Sequence, residues 1–142
     1  MTERYPLNTS ILPSIPTPHD CIIKEIKEDS EYLIFVFEDH LNDHDSIRYT
    51  RPHATGLTIC FHKSRDYDDS ELYLWNYHIR RSGYMPVSFQ KLFRLTDARD
   101  APLEYLYHYV GDRSVIIKLF SRRYSIQLEL MTDCAEFQWT EA

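Results

Sequence analysis

The sequence predicts an all-β, or β-rich α+β, domain: an antiparallel meander of about eight to nine strands forming a sandwich or partly open barrel, with one short helix near residues 87–95. Two observations carry this. Apolar and polar residues alternate through most of the chain, most cleanly from Leu103 to Trp139, and short polar or glycine-bearing turns separate the alternating runs. Helical spacing recurs only around Phe89, Leu92 and Phe93, behind a Ser88 placed to cap a helix.

Residues 1–18 hold Pro6, Pro13, Pro16 and Pro18. Prolines this close deny both helix and central strand, so the segment is expected to be an extended lead-in, laid on the body by Leu7, Ile11, Leu12 and Ile15. A first strand starts at Cys21, where the spacing of Ile22, Ile23 and Ile26 requires a bulge. Glu28-Asp29-Ser30 then turns the chain into Tyr32–Phe37, apolar on both faces and therefore central. Residues 39–54 read as polar loops around a short strand at Ile47–Tyr49. Leu57–His62, with Leu57, Ile59 and Phe61 facing one way, is expected to form a hairpin with the aromatic strand Leu72–Ile79 across the acidic loop Ser64–Glu71.

The last third reads as four strands. Gly111-Asp112-Arg113 offers a tight turn with glycine at positive φ, and Thr132-Asp133-Cys134 a polar turn. Tyr124–Leu130 puts Tyr124, Ile126, Leu128 and Leu130 on one face, and the last three with Phe137 and Trp139 are the expected core.

Composition bounds the function. The 142 residues make one domain, 1–142, able to bury roughly two-thirds of its unfolded surface. Cys21, Cys60 and Cys134 are far apart and without CxxC spacing, which argues against a disulfide framework or structural zinc and for a reducing cytoplasm. The N-terminus lacks the apolar run of a signal peptide, and no window has the apolar length of a membrane helix. With three glycines the chain has no glycine-rich phosphate loop. Net charge is −6, and residues 1–79 hold 14 acidic against 7 basic side chains. That balance argues against a nucleic-acid partner and suits a basic protein.

Four groupings could carry chemistry. His19, His40 and His44, with Asp20, Asp39 and Cys21 nearby in sequence, could hold a divalent metal if the loops converged. No third ligand stands at a recognised offset, so neither metal nor cofactor is expected. Cys21 two residues from His19 could form a thiolate–imidazole pair sharing one strand face, though no third group orients it, and an inert buried thiol is the alternative. The acidic loops are the expected binding residues: Asp43 and Asp45 in the first, Asp66, Tyr67, Asp68, Asp69 and Glu71 in the second. There tyrosine would supply contact area and carboxylates would steer a basic partner. Last, Tyr73, Trp75 and Tyr77, and Tyr105, Tyr107 and Tyr109, form two aromatic rows. They either line an outer binding surface or fill a wide barrel, and alternation alone permits both.

The run Pro16-Thr-Pro-His-Asp-Cys-Ile-Ile-Lys-Glu-Ile26, a polar turn and the apolar strand to Phe37 resemble the opening of several groups of small bacterial proteins of unknown function. Some of these are immunity proteins of contact-dependent or polymorphic toxin systems. The resemblance covers residues 16–38 and implies a small cytoplasmic partner-binding protein without assigning site residues. Two functions therefore stand: a non-enzymatic protein-binding domain, expected to inhibit a basic toxin, or a small-ligand-binding β-barrel with metal-assisted chemistry at His19, His40 and His44.

Overall fold

The structure, a computed structural model, describes residues 1–77 and 83–142. Nine antiparallel strands among them form one partly closed sheet: β1 (Thr2–Pro6), β2 (Ile22–Glu28), β3 (Tyr32–Phe37), β4 (Ala54–Lys63), β5 (Glu71–Asn76), β6 (Met85–Val87), β7 (Leu103–Gly111), β8 (Ser114–Phe120) and β9 (Tyr124–Glu141). Two short helices, α1 (Asp45–Arg48) and α2 (Phe89–Arg94), interrupt them. The expected all-β class with one short helix near 87–95 is the fold observed, with α1 as a single additional turn.

The sheet is organised by β9. Its first half pairs with β8 and β5, its second half with β4 and β1. Because β4 also pairs with β3, β3 with β2 and β8 with β7, the neighbours run β2-β3-β4-β9-β8-β7 and return to β2. That last seam is short, only Ile22↔Glu104 and Ile23↔Leu103, so the barrel is incompletely closed. The expected turn at Thr132-Asp133-Cys134 is instead a bulge inside this eighteen-residue strand: register passes from Lys63↔Thr132 to His62↔Cys134, leaving Asp133 as the extra residue. Turn-forming residues also suit a bulge, and bending β9 here lets it exchange one pair of neighbours for another.

Four further expectations change. β4 and β5 do not pair with each other; both run antiparallel to β9, lying end to end along it, so the acidic loop joins collinear strands rather than capping a hairpin. Ile47–Tyr49 is no strand: Asp45–Arg48 makes one helical turn that buries Ile47 alone, with Asp45 and Arg48 paired three residues apart. The lead-in includes a strand, since Thr2–Pro6 pairs with the edge of β9, and its only proline is the last residue, where no onward ladder is needed. Leu7 and Ile15 are buried as expected, whereas Ile11 is 84% exposed. In the hairpin between β7 and β8 the positive φ (51°) falls on Arg113 rather than on Gly111, where a Cβ would lie 2.7 Å from the Ser114 hydroxyl and make that side chain turn away.

Other expectations hold. A bulge lies between Ile23 and Glu25, burying Ile23 and Ile26 together. β3 is central between β2 and β4. Ile126, Leu128, Leu130, Phe137 and Trp139 are all buried. Ser88 occupies the N-cap position of α2 without a side-chain cap bond, and Leu92 is the buried residue of the helix.

The aromatic row of β7 is divided by a bulge between Tyr105 and Tyr107. Tyr105 faces inward, fully buried against Phe35 and Phe37, while Tyr107 and Tyr109 face out. The same bulge brings positions i and i+3 together: the Tyr105 hydroxyl donates to His108 Nδ1 at 2.6 Å, and His108 also bonds the Ile15 backbone. Burial holds the His108 pKa below its ordinary value. Folding therefore keeps this imidazole neutral, while the unfolded chain protonates it near pH 6.5. Its contribution is present above that pH and is lost as pH falls through the lower folded value. Urea midpoints measured from pH 7.5 down to 5 are expected to fall less in His108→Asn than in the parent protein; equal falls would contradict this assignment.

Candidate functional site

The expected site residues do not form one site. The loop bearing Asp43 and Asp45 precedes β4 and the loop bearing Asp66–Glu71 follows it. Ten strand residues separate them, roughly 30 Å at about 3.3 Å per residue. Asp43 is exposed, and Asp45 is paired with Arg48. In the second loop Asp66, Asp68 and Asp69 are exposed, but Tyr67 folds back. Its ring packs 6.0 Å from that of Phe89, Lys63 Nζ lies 4.8 Å from its centroid, and its hydroxyl donates to Glu28 at 3.3 Å. Burial, reinforced by Glu28, pushes the Tyr67 phenol up from its ordinary value. It is half-buried and braces the turn.

His19 Nδ1 lies 3.0 Å from Asp20, and its carbonyl accepts a bond from Ser46 Oγ at 2.8 Å, so the loop bearing Asp43 and Asp45 reaches His19 through a serine. Among the described residues no three His, Cys, Asp or Glu side chains are grouped as a metal requires. His19 and Cys21 do not share a face: Asp20 has φ 67°, which breaks the alternation, leaving His19 exposed and Cys21 fully buried. Burial pushes the Cys21 thiol up to about 11, unsuited to a nucleophile at neutral pH.

What the fold does bring together is the outer face of β7, β8, the first half of β9, β5 and β6. Leu72 and Leu74 are buried, so the alternate residues Glu71, Tyr73 and Trp75 of β5 face out. Register aligns them in cross-strand rows: Tyr109–Ile116–Glu129–Glu71, Tyr107–Lys118–Gln127–Tyr73–Pro86, and Phe120–Ser125–Trp75. Trp75 meets Tyr77 at 5.5 Å and Tyr84 at 6.0 Å, and Tyr77 meets Phe120 at 6.4 Å. Tyr84 is fixed in turn by a 2.6 Å bond to Ser125 Oγ and by Lys118 4.7 Å from its ring centroid. Trp75, Tyr84, Tyr107, Tyr109 and Phe120 are each between 38% and 61% exposed. Ile79, expected to extend the row, lies outside the described residues.

One edge of this face is acidic. Glu71 and Glu129 are directly opposite across β5 and β9. Tyr73 donates its hydroxyl to Glu71, and that bond is the main reason its phenol is pushed up to about 12. Gln127 donates to Glu129 at 3.4 Å. Two like charges in register cost stability, by a few tenths to about 1 kcal/mol, in the absence of a cation. Asp66, Asp68 and Asp69 lie just before Glu71 in the chain. The sequence signalled Tyr73, Trp75, Tyr107 and Tyr109 without their direction; Phe120, Tyr84 and Glu129 were missed, although the alternation of Ser114–Phe120 already places Phe120 opposite the buried Leu119.

Among the described residues, Phe35, Phe37, Phe61 and Tyr105 pack ring against ring inside the barrel. No family model matches this chain, and neither a curated protein nor a solved structure shows significant similarity to it.

Proposed function

We propose that this chain is a non-enzymatic protein-binding domain whose outer aromatic face takes a basic segment of a protein partner. In the reading suggested by the resemblance of residues 16–38, that partner is a basic toxin and the chain its cytoplasmic immunity protein. The observation that carries the proposal is the juxtaposition of solvent-facing rings with the in-register pair Glu71 and Glu129. Aromatic side chains give contact area at low entropic cost, and a partner's Lys or Arg would relieve the carboxylate repulsion. The net charge of −6 adds long-range attraction for such a partner.

Capture of the partner from the native host, followed by stopped-flow association at increasing salt, tests this. The on-rate is expected to fall as salt shortens the Debye length from about 8 Å at physiological strength. Converting Asp66, Asp68 and Asp69 to Asn should lower the on-rate about three- to tenfold at low salt and change the off-rate little. A salt-independent rate, or an unchanged on-rate in the triple variant, would contradict charge steering by this loop.

A further inference from the structure

The bulge at Asp133 assembles a second group of reactive side chains on a different part of the outer surface. His62 and Cys134 are direct partners across β4 and β9, so they leave the same face with about 5 Å between Cβ atoms. Asp133, the extra residue, reaches His62 Nδ1 at 2.7 Å. Tyr32, opposite His62 on β3, sets its ring edge-on to the imidazole with centroids 5.4 Å apart. The buried Thr132 hydroxyl lies 2.7 Å from the His62 carbonyl and 3.1 Å from that of Cys134, tying the bulge to β4. Arg4 of β1 completes the group: the Arg4 pKa is raised, and its hydrogen bond with Cys134 is the largest cause.

Arg4, Tyr32, His62, Asp133 and Cys134 line one surface hollow of about 450 Å³. An adjoining hollow shares Asn8 and Asp133 with it and adds Arg65 and Arg113, against Asp66. Arg4 thus stands in the hollow of the thiol and Arg65 and Arg113 in the one that adjoins it, with Asp133 common to both. Cys21 and Cys60 differ from that thiol: both are buried, with thiols pushed up to about 11, whereas Cys134 is only partly buried.

We propose that Cys134 is a reactive thiol and that this hollow takes a small disulfide bearing carboxylates, oxidised glutathione being the chemical type. The product is a mixed disulfide on Cys134. His62, held through Nδ1 by Asp133, takes the thiol proton on Nε2; the sulfur attacks one sulfur of the ligand, and the ligand's S–S bond breaks as the new one forms. The departing thiolate takes the proton back from His62. Cys134 is oxidised and one half of the ligand leaves reduced, so atoms and electrons balance. Arg4 offsets negative charge on the attacking sulfur, and Arg4, Arg65 and Arg113 hold the carboxylates.

Reaction of the folded protein with 5,5′-dithiobis(2-nitrobenzoate), an anionic aromatic disulfide, tests this, with oxidised glutathione as a second probe read by intact mass. One thiol per chain is expected to react rapidly, mapped by peptide mass to Cys134. Its rate should exceed that of the same thiol in urea-unfolded protein at equal pH by about tenfold. His62→Gln and Arg4→Met, both on the outer surface, should each slow it several-fold while the circular dichroism spectrum stays unchanged. A neutral pyridyl disulfide should be less sensitive to Arg4→Met. Folded-state reaction no faster than the unfolded, or a rate indifferent to His62→Gln, would overturn the proposal.

Discussion

Leu128→Ala is expected to lower stability by about 2–5 kcal/mol, the cost of removing a large aliphatic side chain from a core that relaxes only in part. Leu128 is fully buried on β9, and its register partners on either side, Ile117 on β8 and Leu72 on β5, are buried too. All three strands are held by backbone ladders, so the space left by the isobutyl group cannot close by moving one of them. A urea titration should show a lower midpoint with an unchanged slope. Gln127→Ala, one residue away on the outer face, should change stability by under about 0.5 kcal/mol. A comparably small loss at Leu128 would mean the register of β9 is wrong.

Trp75→Ala is expected to weaken binding of the basic partner by about 2 kcal/mol or more, roughly thirtyfold in Kd, mostly through a faster off-rate. The indole is 38% exposed and braced by Tyr77 and Tyr84, which makes it a rigid anchor. Its loss should leave the fold intact, because β5 is held inward by Leu72 and Leu74. Tyr49→Ala is the matched control: that ring is 80% exposed at the end of α1, on the loop that precedes β4. Unchanged affinity in Trp75→Ala would remove the aromatic face from the account.

Much of this architecture was legible as alternation. Leu57, Ile59 and Phe61, and Ile126, Leu128 and Leu130, declare their faces because each strand has a buried side. The bulge near Ile23 was legible because adjacent isoleucines break the period. By contrast, the continuity of β9 through Thr132-Asp133-Cys134 depends on strands some seventy residues away that tie down its bulge, and no local signal separates bulge from turn. The bulge after Tyr105 is hidden for the opposite reason: three tyrosines at perfect alternation look like one row, and only the partner strand shows the slip. Asp45–Arg48 went to helix because a single buried residue, Ile47, does not define a strand face.

The sites follow the same division. Acidic residues were easy to find and easy to pool, yet the two loops lie at opposite ends of β4. The aromatic face and the Cys134 group both consist of cross-strand neighbours, which register alone creates: Glu71 with Glu129, Phe120 with Ser125 and Trp75, His62 with Cys134.

The most direct measurement is hydroxyl-radical footprinting of the chain alone and in complex with its captured partner, read by mass spectrometry at single side chains. Protection is expected at Trp75, Tyr84, Tyr109 and Phe120, with Tyr49 unchanged. Protection at Tyr49 and around Asp43–Asp45, with the four rings as reactive as in the free protein, would contradict the assignment of this face.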